Sequence, residues 1–195
     1  LAIDTIAPDH GVIWRGDPGR IIAAYDHWSR QEAVAKVLVV YDTMWHSTEL
    51  MAKAVADGVQ DEGVCVKLMN LANTHRSDVV TELLDAKALL VGSPTLNNGM
   101  LPRMADFLTY IRGLKPTGKL AAAFGSYGWS GESVKHINEF LKEMKLDIVG
   151  EGLRHNYVPD HEALHKCREL GLQVGQAIKA AGLAPGGVRC HCSQG

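Results

Sequence analysis

The stretch Val37-Leu38-Val39-Val40-Tyr41-Asp42-Thr43-Met44-Trp45-His46-Ser47-Thr48 runs from five consecutive apolar residues into a polar loop. An apolar run of this length, ended by a loop, is typical of a strand buried on both faces of a parallel sheet. Helical spacing then relates the apolar residues Met51, Ala54, Val55 and Val59. The stretch therefore predicts the first strand–helix unit of an α/β domain.

The same alternation continues along the chain. Further apolar runs predict strands at residues 64–69, 86–91, 120–124 and 146–149, the last continuing toward His155. A final helix is predicted after Asp160, because aspartate is a favoured residue at helix N-caps. Five such units fit a doubly wound sheet with helices on both faces.

Length and composition agree with one globular domain and a short remainder. The chain has 195 residues, of which 46% are hydrophobic and 22% charged, with a formal net charge of -2. Nucleic acids and anionic membranes favour basic proteins, so we expect neither as a partner. No apolar run approaches the roughly 20 residues of a membrane-spanning helix. We therefore expect a cytoplasmic location.

Ligands of doubly wound sheets bind at the carboxyl ends of the strands, where the winding direction reverses. The loop after the first strand opens a helix, and a helix N-terminus favours an anion such as phosphate. No P-loop or dinucleotide glycine motif is present, so a single monophosphate fits better than a triphosphate or dinucleotide. Taken alone, this loop is equally compatible with Ser47 or Thr48 as a helix cap. The candidate residues here are Thr43, Met44, Trp45, His46, Ser47 and Thr48.

Two further loops follow the third and fourth strands. They combine glycines, amide groups and aromatic side chains, which together suit a flat heteroaromatic ring. Each loop alone is also compatible with half-exposed aromatics that pack on their neighbours. Three such loops at one edge indicate flavin mononucleotide (FMN). The candidate residues are Pro94, Thr95, Leu96 and Asn97 in one loop, and Ser126, Tyr127, Gly128, Trp129, Ser130 and Gly131 in the other.

Residues 41–49, 92–97 and 124–131 resemble the three flavin loops of the flavodoxin-like domain of flavodiiron proteins, also called A-type flavoproteins. The resemblance covers residues 36–178. It implies a flavodoxin-like three-layer sandwich around a five-stranded parallel sheet of order 2-1-3-4-5. It also implies that FMN relays electrons from rubredoxin or another reduced donor to a diiron centre, which reduces dioxygen or nitric oxide. The intact proteins of that family form homodimers.

The N-terminal segment departs from the strand–helix rhythm. Residues 6–14 resemble the end of that family's metallo-β-lactamase-like domain, and His10 matches its last iron ligand. The remaining ligands are absent, and one imidazole cannot hold two irons, so no diiron centre is expected in this chain alone. We expect a domain remnant and linker at 1–33, the FMN domain at 34–181 and a flexible tail at 182–195. The chain would then be the electron-relay part of a longer oxidoreductase.

Two alternatives stay open at this point. One is a free flavodoxin-type carrier or an FMN-dependent NAD(P)H:quinone reductase, which would oxidise NAD(P)H without a protein donor. The other is a receiver module with the same topology. A receiver needs an aspartate at the end of the third strand, where this chain has Gly92-Ser93-Pro94.

Overall fold

The computed structural model describes residues 2–184 and divides the chain into two compact units, one ending at Glu32 and the other beginning at Ala33. In the first unit, the backbone of Ile6 pairs with that of Trp14 in an isolated antiparallel bridge. Helix α1 (Pro18–Ser29) follows, and the Asp17 side chain caps it by accepting a hydrogen bond from the Arg20 N–H at 3.1 Å. None of residues 2–32 is buried.

The second unit is an α/β sandwich. Its strands are β1 (Val34–Tyr41), β2 (Cys65–Asn70), β3 (Ala86–Gly92), β4 (Thr95–Leu96), β5 (Gly99–Met100), β6 (Leu120–Tyr127), β7 (Asp147–Ile148) and β8 (Leu153–Asn156). Its helices are α2 (Ser47–Asp61), α3 (Arg76–Leu83), α4 (Pro102–Leu114), α5 (Glu132–Glu143) and α6 (His161–Ala180).

The main sheet is parallel and has the order β2-β1-β3-β6-β7, with β8 pairing with β6 further along. The flavodoxin-like fold and its strand order are therefore confirmed. Successive residues of β1 face opposite sides of the sheet. Leu38 and Val40 pack with α3, α4 and α5, whereas Val37 and Val39 pack with α2 and α6. Burial on both faces explains why β1 is an unbroken apolar run.

The fifth strand is interrupted, so the expectation of one strand continuing toward His155 is wrong. Between β7 and β8 the backbone turns at Gly150 and Gly152, whose φ angles are +70° and +98°. Such angles are favourable for glycine and break a strand. The predicted fifth strand is thus two short strands that both pair with β6. Strand β7 pairs with the beginning of β6, and β8 pairs with the end of β6.

Helices α2 and α6 lie in close backbone contact. A Cβ atom added at Gly58 would lie 2.0 Å from the Arg168 carbonyl oxygen, and one added at Gly171 would lie 2.0 Å from the Val55 carbonyl oxygen. Only glycine permits this approach. The contact holds α2, and with it the loop that precedes α2.

At the end of the described chain, the Ala184 carbonyl accepts a hydrogen bond from the Ala35 N–H at 2.9 Å. Residues 185–195 of the expected tail lie outside the described residues. Within residues 2–184, no helix has both the length and the apolar character needed to cross a membrane.

Candidate functional site

The three predicted loops meet at one edge of the sheet. Tyr41, at the end of β1, pairs with Gly92, at the end of β3, and Gly92 pairs in turn with Phe124 of β6. The structure thus brings the loops after these strands together, at the point where the order of the parallel strands reverses. This is the position at which doubly wound folds bind ligands.

The first loop leaves the N-terminus of α2 open. His46 is the N-cap residue, in a left-handed conformation (φ 63°), and its side chain caps no backbone N–H. The first bond of the helix runs from the Leu50 N–H to the His46 carbonyl at 3.0 Å. The N–H groups of Ser47, Thr48 and Glu49 therefore have no acceptor within the helix. Free N–H groups at a helix start are the usual protein element that binds phosphate.

A buried hydroxyl in the same loop lacks a partner. Thr43 Oγ1 is inaccessible to solvent and makes no hydrogen bond, although the Thr43 N–H donates to Asp42 Oδ1 at 2.9 Å. An unpaired buried hydroxyl costs about 1–3 kcal/mol, so such groups are rare without a role. A ligand oxygen placed here would satisfy it. This orphaned atom is compatible with a phosphorylated ligand, such as FMN, at this loop.

Two other residues of this loop already have protein partners. His46 is exposed, and its Nδ1 lies 2.7 Å from Glu49 Oε2, while Lys53 Nζ lies 2.8 Å from the other oxygen of that carboxylate. Hydrogen bonds from His46 and Lys53 lower the pKa of Glu49 below its usual range. Thr48 is fully buried, and its hydroxyl oxygen lies 3.0 Å from that of Ser126 in the third loop.

Two tryptophan side chains, one in the first loop and one in the third, lack protein cover. Trp45 is 81% exposed and Trp129 is 90% exposed, and Met44 beside Trp45 is also exposed. Indole rings are large amphipathic surfaces that proteins usually bury or use for binding. Their exposure in two different flavin loops is compatible with stacking on a planar ring.

The second loop is a miniature hairpin that sequence periodicity did not predict. Strands β4 and β5 pair antiparallel, and the turn between them consists of Asn97 and Asn98, both with positive φ (48° and 57°). Two residues of positive φ are the signature of a type I′ turn, which asparagine tolerates. Ser93 closes the base of the loop, since its Oγ accepts from the Leu101 N–H at 3.0 Å.

Ser133 of α5 joins this hairpin to the third loop, and it was missed by sequence reasoning. Its Oγ donates to the Ser93 carbonyl at 2.9 Å and accepts from Thr95 Oγ1 at 3.1 Å. Gly125 permits the approach, because a Cβ there would lie 2.0 Å from the Ser93 carbonyl oxygen. The serine follows the glycine-rich loop without any distinguishing pattern, so only the hydrogen bonds reveal its role.

His10 lies in the first unit and is exposed. Across residues 2–184, no group of three or more histidine, cysteine, aspartate or glutamate residues is arranged to hold a metal ion. The described residues alone therefore do not fit a diiron centre.

Comparison with known proteins agrees with this geometry. A family model described as flavodoxin matches residues 39–171. The chain belongs to the flavodoxin family. A solved flavodoxin from the domain Archaea is 34% identical with a TM-score of 0.68, and the match covers 74% of this chain and 99% of the flavodoxin. Membership of this family implies that the chain binds FMN.

Proteins longer than this flavodoxin-family chain match it over more of its length than the archaeal flavodoxin does. A nitric oxide reductase of Moorella thermoacetica is 49% identical over 91% of this chain and 45% of the relative. A rubredoxin-oxygen oxidoreductase of Megalodesulfovibrio gigas is 43% identical over 92% of this chain and 45% of the relative. The solved flavodiiron protein of Giardia intestinalis is 37% identical with a TM-score of 0.87, over 95% of this chain and 47% of that protein.

These matches confirm the resemblance to flavodiiron proteins, and the chain is homologous to their flavodoxin-like part. The chain spans less than half the length of these longer relatives. The relatives also favour a flavodoxin-like domain of the flavodiiron type over a free flavodoxin-type carrier or a quinone reductase.

Proposed function

We propose that this chain holds FMN with its phosphate at the N-terminus of α2 and its ring between the second and third loops. The observation that carries the proposal is that one loop holds both the orphaned Thr43 hydroxyl and the free N–H groups of Ser47 and Thr48. A phosphate or ribityl oxygen would satisfy these donors, and the helix dipole would favour the anion.

The proposed roles divide by loop. In the first loop, Thr43 and Ser47 would contact the phosphate end, and Thr48 would do so through its backbone N–H, with Met44, Trp45 and His46 bordering it. The ring would lie between two groups of residues, namely Pro94, Thr95, Leu96 and Asn97 on one side and Ser126, Tyr127, Gly128, Trp129, Ser130 and Gly131 on the other. Bound FMN would accept and donate electrons, while the protein supplies orientation and electrostatics.

A flavin titration tests this site. The chain is mixed with FMN or riboflavin, and the dissociation constants are measured by quenching of flavin fluorescence. In Ser47→Ala we expect the FMN constant to rise about tenfold and the riboflavin constant to change less than about twofold, because only FMN has the phosphate. Ser77→Ala, in the first turn of α3, is the control and should change neither constant. A chain without FMN binding at saturating flavin would refute the proposal.

We further propose that in the intact protein the flavin relays electrons to a diiron centre that reduces dioxygen or nitric oxide. Relatives named nitric oxide reductase and rubredoxin-oxygen oxidoreductase support this role and support rubredoxin, or a similar reduced protein, as donor. We also propose that the intact protein is a homodimer located in the cytoplasm. Mixing the FMN-loaded chain with reduced rubredoxin or with NAD(P)H tests the donor. Direct oxidation of NAD(P)H would favour the reductase instead.

We propose that residues 1–33 end a metallo-β-lactamase-like domain, with His10 as one iron ligand of the longer protein. The absence of any buried residue among residues 2–32 supports this, since a segment with exposed Val12, Ile13 and Tyr25 lacks a core of its own. Residues 34–181 would form the FMN domain and 182–195 its tail. Iron analysis of the full-length protein, compared with its His10→Ala variant, tests the assignment, and equal iron contents would contradict it.

A further inference from the structure

The third loop is held from outside by Asn156, which ends β8, and by Tyr157, which follows it. The Tyr157 N–H donates to the Tyr127 carbonyl at 2.7 Å. Asn156 Nδ2 donates to that same carbonyl at 3.3 Å and also to the Gly128 carbonyl. Both of its contacts are carbonyl oxygens, so the amide must present its NH2 group to them. Two successive peptide groups of the loop are thereby fixed by a side chain outside all three loops.

Fixing a carbonyl also fixes the N–H of the same peptide group. Residues 2–184 contain no cis peptide bond, and in a trans peptide the C=O and N–H point in opposite directions. Strand β6 lies between β3 and β8. With the Tyr127 and Gly128 carbonyls directed to the β8 side, the Gly128 and Trp129 N–H groups are directed to the opposite side. The hairpin that follows β3 lies on that side.

These two N–H groups are also available to a ligand. Neither Gly128 N nor Trp129 N donates to any backbone acceptor among the residues described. Gly128 is half-buried and has no side chain that could cover these N–H groups. Two oriented donors, held before the ligand arrives, form an anion-stabilising element that needs no reorganisation.

We propose that Asn156 is a positioning residue for the flavin: it aims the Gly128 and Trp129 N–H groups at the ring edge that becomes negatively charged on reduction. The inference rests on the proposed FMN site. A reduced flavin carries its charge along the N1–C2 carbonyl edge, and protein groups near that edge tune its electronics. Hydrogen bonds to a charged acceptor are roughly twice as strong as those to a neutral one. Asn156 therefore favours reduced FMN over oxidised FMN.

The test compares Asn156→Ala with the unmodified chain. FMN dissociation constants are measured for the oxidised flavin and, after anaerobic reduction with dithionite, for the reduced flavin. We expect the constant for oxidised FMN to rise about threefold and that for reduced FMN about thirtyfold, so that their ratio shifts about tenfold. The midpoint potential of the bound flavin should fall accordingly. Riboflavin should show the same ratio change, because the phosphate is not involved.

Asn138→Ala is the matched control. Asn138 Nδ2 also donates to a backbone carbonyl, that of Glu151 at 2.9 Å, and this hydrogen bond lies outside the three loops. Its loss should leave the ratio of the two constants unchanged. Asn156→Asp keeps the shape of the side chain and turns an oxygen toward both carbonyls, so it should reproduce the ratio change if the alanine variant fails to fold.

The outcomes separate the two proposals. If the unmodified chain does not bind FMN, the proposed function fails, and this inference fails with it. If the chain binds FMN but the Asn156 variants leave the oxidised-to-reduced ratio unchanged, only the role of Asn156 is overturned. An equal ratio change in Asn138→Ala would likewise overturn it, because the effect would then be one of general stability.

Discussion

The hydroxyl oxygens of Thr48 and Ser126 lie 3.0 Å apart, although 78 residues separate them in the sequence. Both residues are buried, so each satisfies the other in the absence of water. The pair joins the helix that opens the first flavin loop to the strand that carries the third. It therefore links the proposed phosphate site to the proposed ring site.

Replacing one member of this pair should destabilise the chain. In Thr48→Val we expect the free energy of unfolding to fall by about 1–3 kcal/mol, because the Ser126 hydroxyl is left buried and unpaired. Adding Ser126→Ala to this variant should recover part of the loss. Urea denaturation of the two single variants and the double variant measures the coupling. Additive losses would show that the two hydroxyls do not interact.

The Thr43 hydroxyl should have the opposite effect. Thr43→Val removes a buried oxygen that has no protein partner, so without flavin we expect the free energy of unfolding to rise by about 1 kcal/mol. FMN affinity should fall about tenfold, since the proposed ligand loses a hydrogen bond. Thermal melting and flavin titration measure the two effects. Thr81→Val, on the exposed face of α3, should leave FMN affinity unchanged; a similar loss there would contradict the prediction.

Ser133 should affect both flavins equally. Ser133→Ala leaves the Ser93 carbonyl without the hydrogen bond at 2.9 Å and the Thr95 hydroxyl without its acceptor. We expect the free energy of unfolding to fall by about 1–3 kcal/mol. FMN and riboflavin should lose affinity by the same factor, because the second loop is proposed to border the ring and not the phosphate. A loss restricted to FMN would assign Ser133 to the phosphate site.

The glycine contact between α2 and α6 should not tolerate a methyl group. In Gly171→Ala the new Cβ would lie 2.0 Å from the Val55 carbonyl oxygen, so we expect a loss of about 1–3 kcal/mol in unfolding free energy. Gly113→Ala is the control, because nothing lies within 4 Å of a Cβ at that helical position. That variant should be neutral or more stable by up to about 1 kcal/mol. Denaturant titration of both variants measures these changes in the free energy of unfolding, and equal changes in the two variants would contradict the prediction.

Lys119 lies at the edge of the sheet opposite the candidate site. It should make the free energy of unfolding depend on pH. Its side chain is buried, and Nζ donates to the Ala86 carbonyl at 2.7 Å. Burial lowers the pKa of Lys119 from 10.5 to about 8. Below about pH 8 the lysine is charged in both the folded and unfolded states, and the cost of burying that charge is complete. Above 10.5 it is neutral in both states, and the cost is absent.

Between these limits the unfolded chain binds more protons, so this group makes stability rise with pH. The rise is about 3 kcal/mol for a pKa difference of this size. In Lys119→Met the rise should be lost, which is measured as the difference in unfolding free energy between the two proteins from pH 7.5 to 10.5. Parallel pH profiles would show that the lysine is not desolvated. The pKa of Tyr41, which burial raises, contributes equally to both proteins and cancels in this difference.

Much of the fold could be predicted because the strands of a parallel sheet are apolar on both faces. The apolar run at Val37–Tyr41 and the four similar runs after it predicted helices on both faces of the sheet. The polar loops that follow the strands predicted a ligand site at the carboxyl ends of those strands. The interruption between β7 and β8 was not predictable in the same way. Apolar residues flank it at Val149 and Leu153, and within it Gly150 and Gly152 mark the turn.

Within the candidate site, the sequence by itself determined which loops meet, because strand order places the ends of β1, β3 and β6 at one edge. Tertiary structure alone decided which polar atoms are satisfied: Thr48 by Ser126, the second loop by Ser133, and the third by Asn156. Thr43 keeps an unpaired hydroxyl. Local patterns record burial and turn preference, whereas a hydrogen bond between distant residues depends on positions that exist only after the chain has folded.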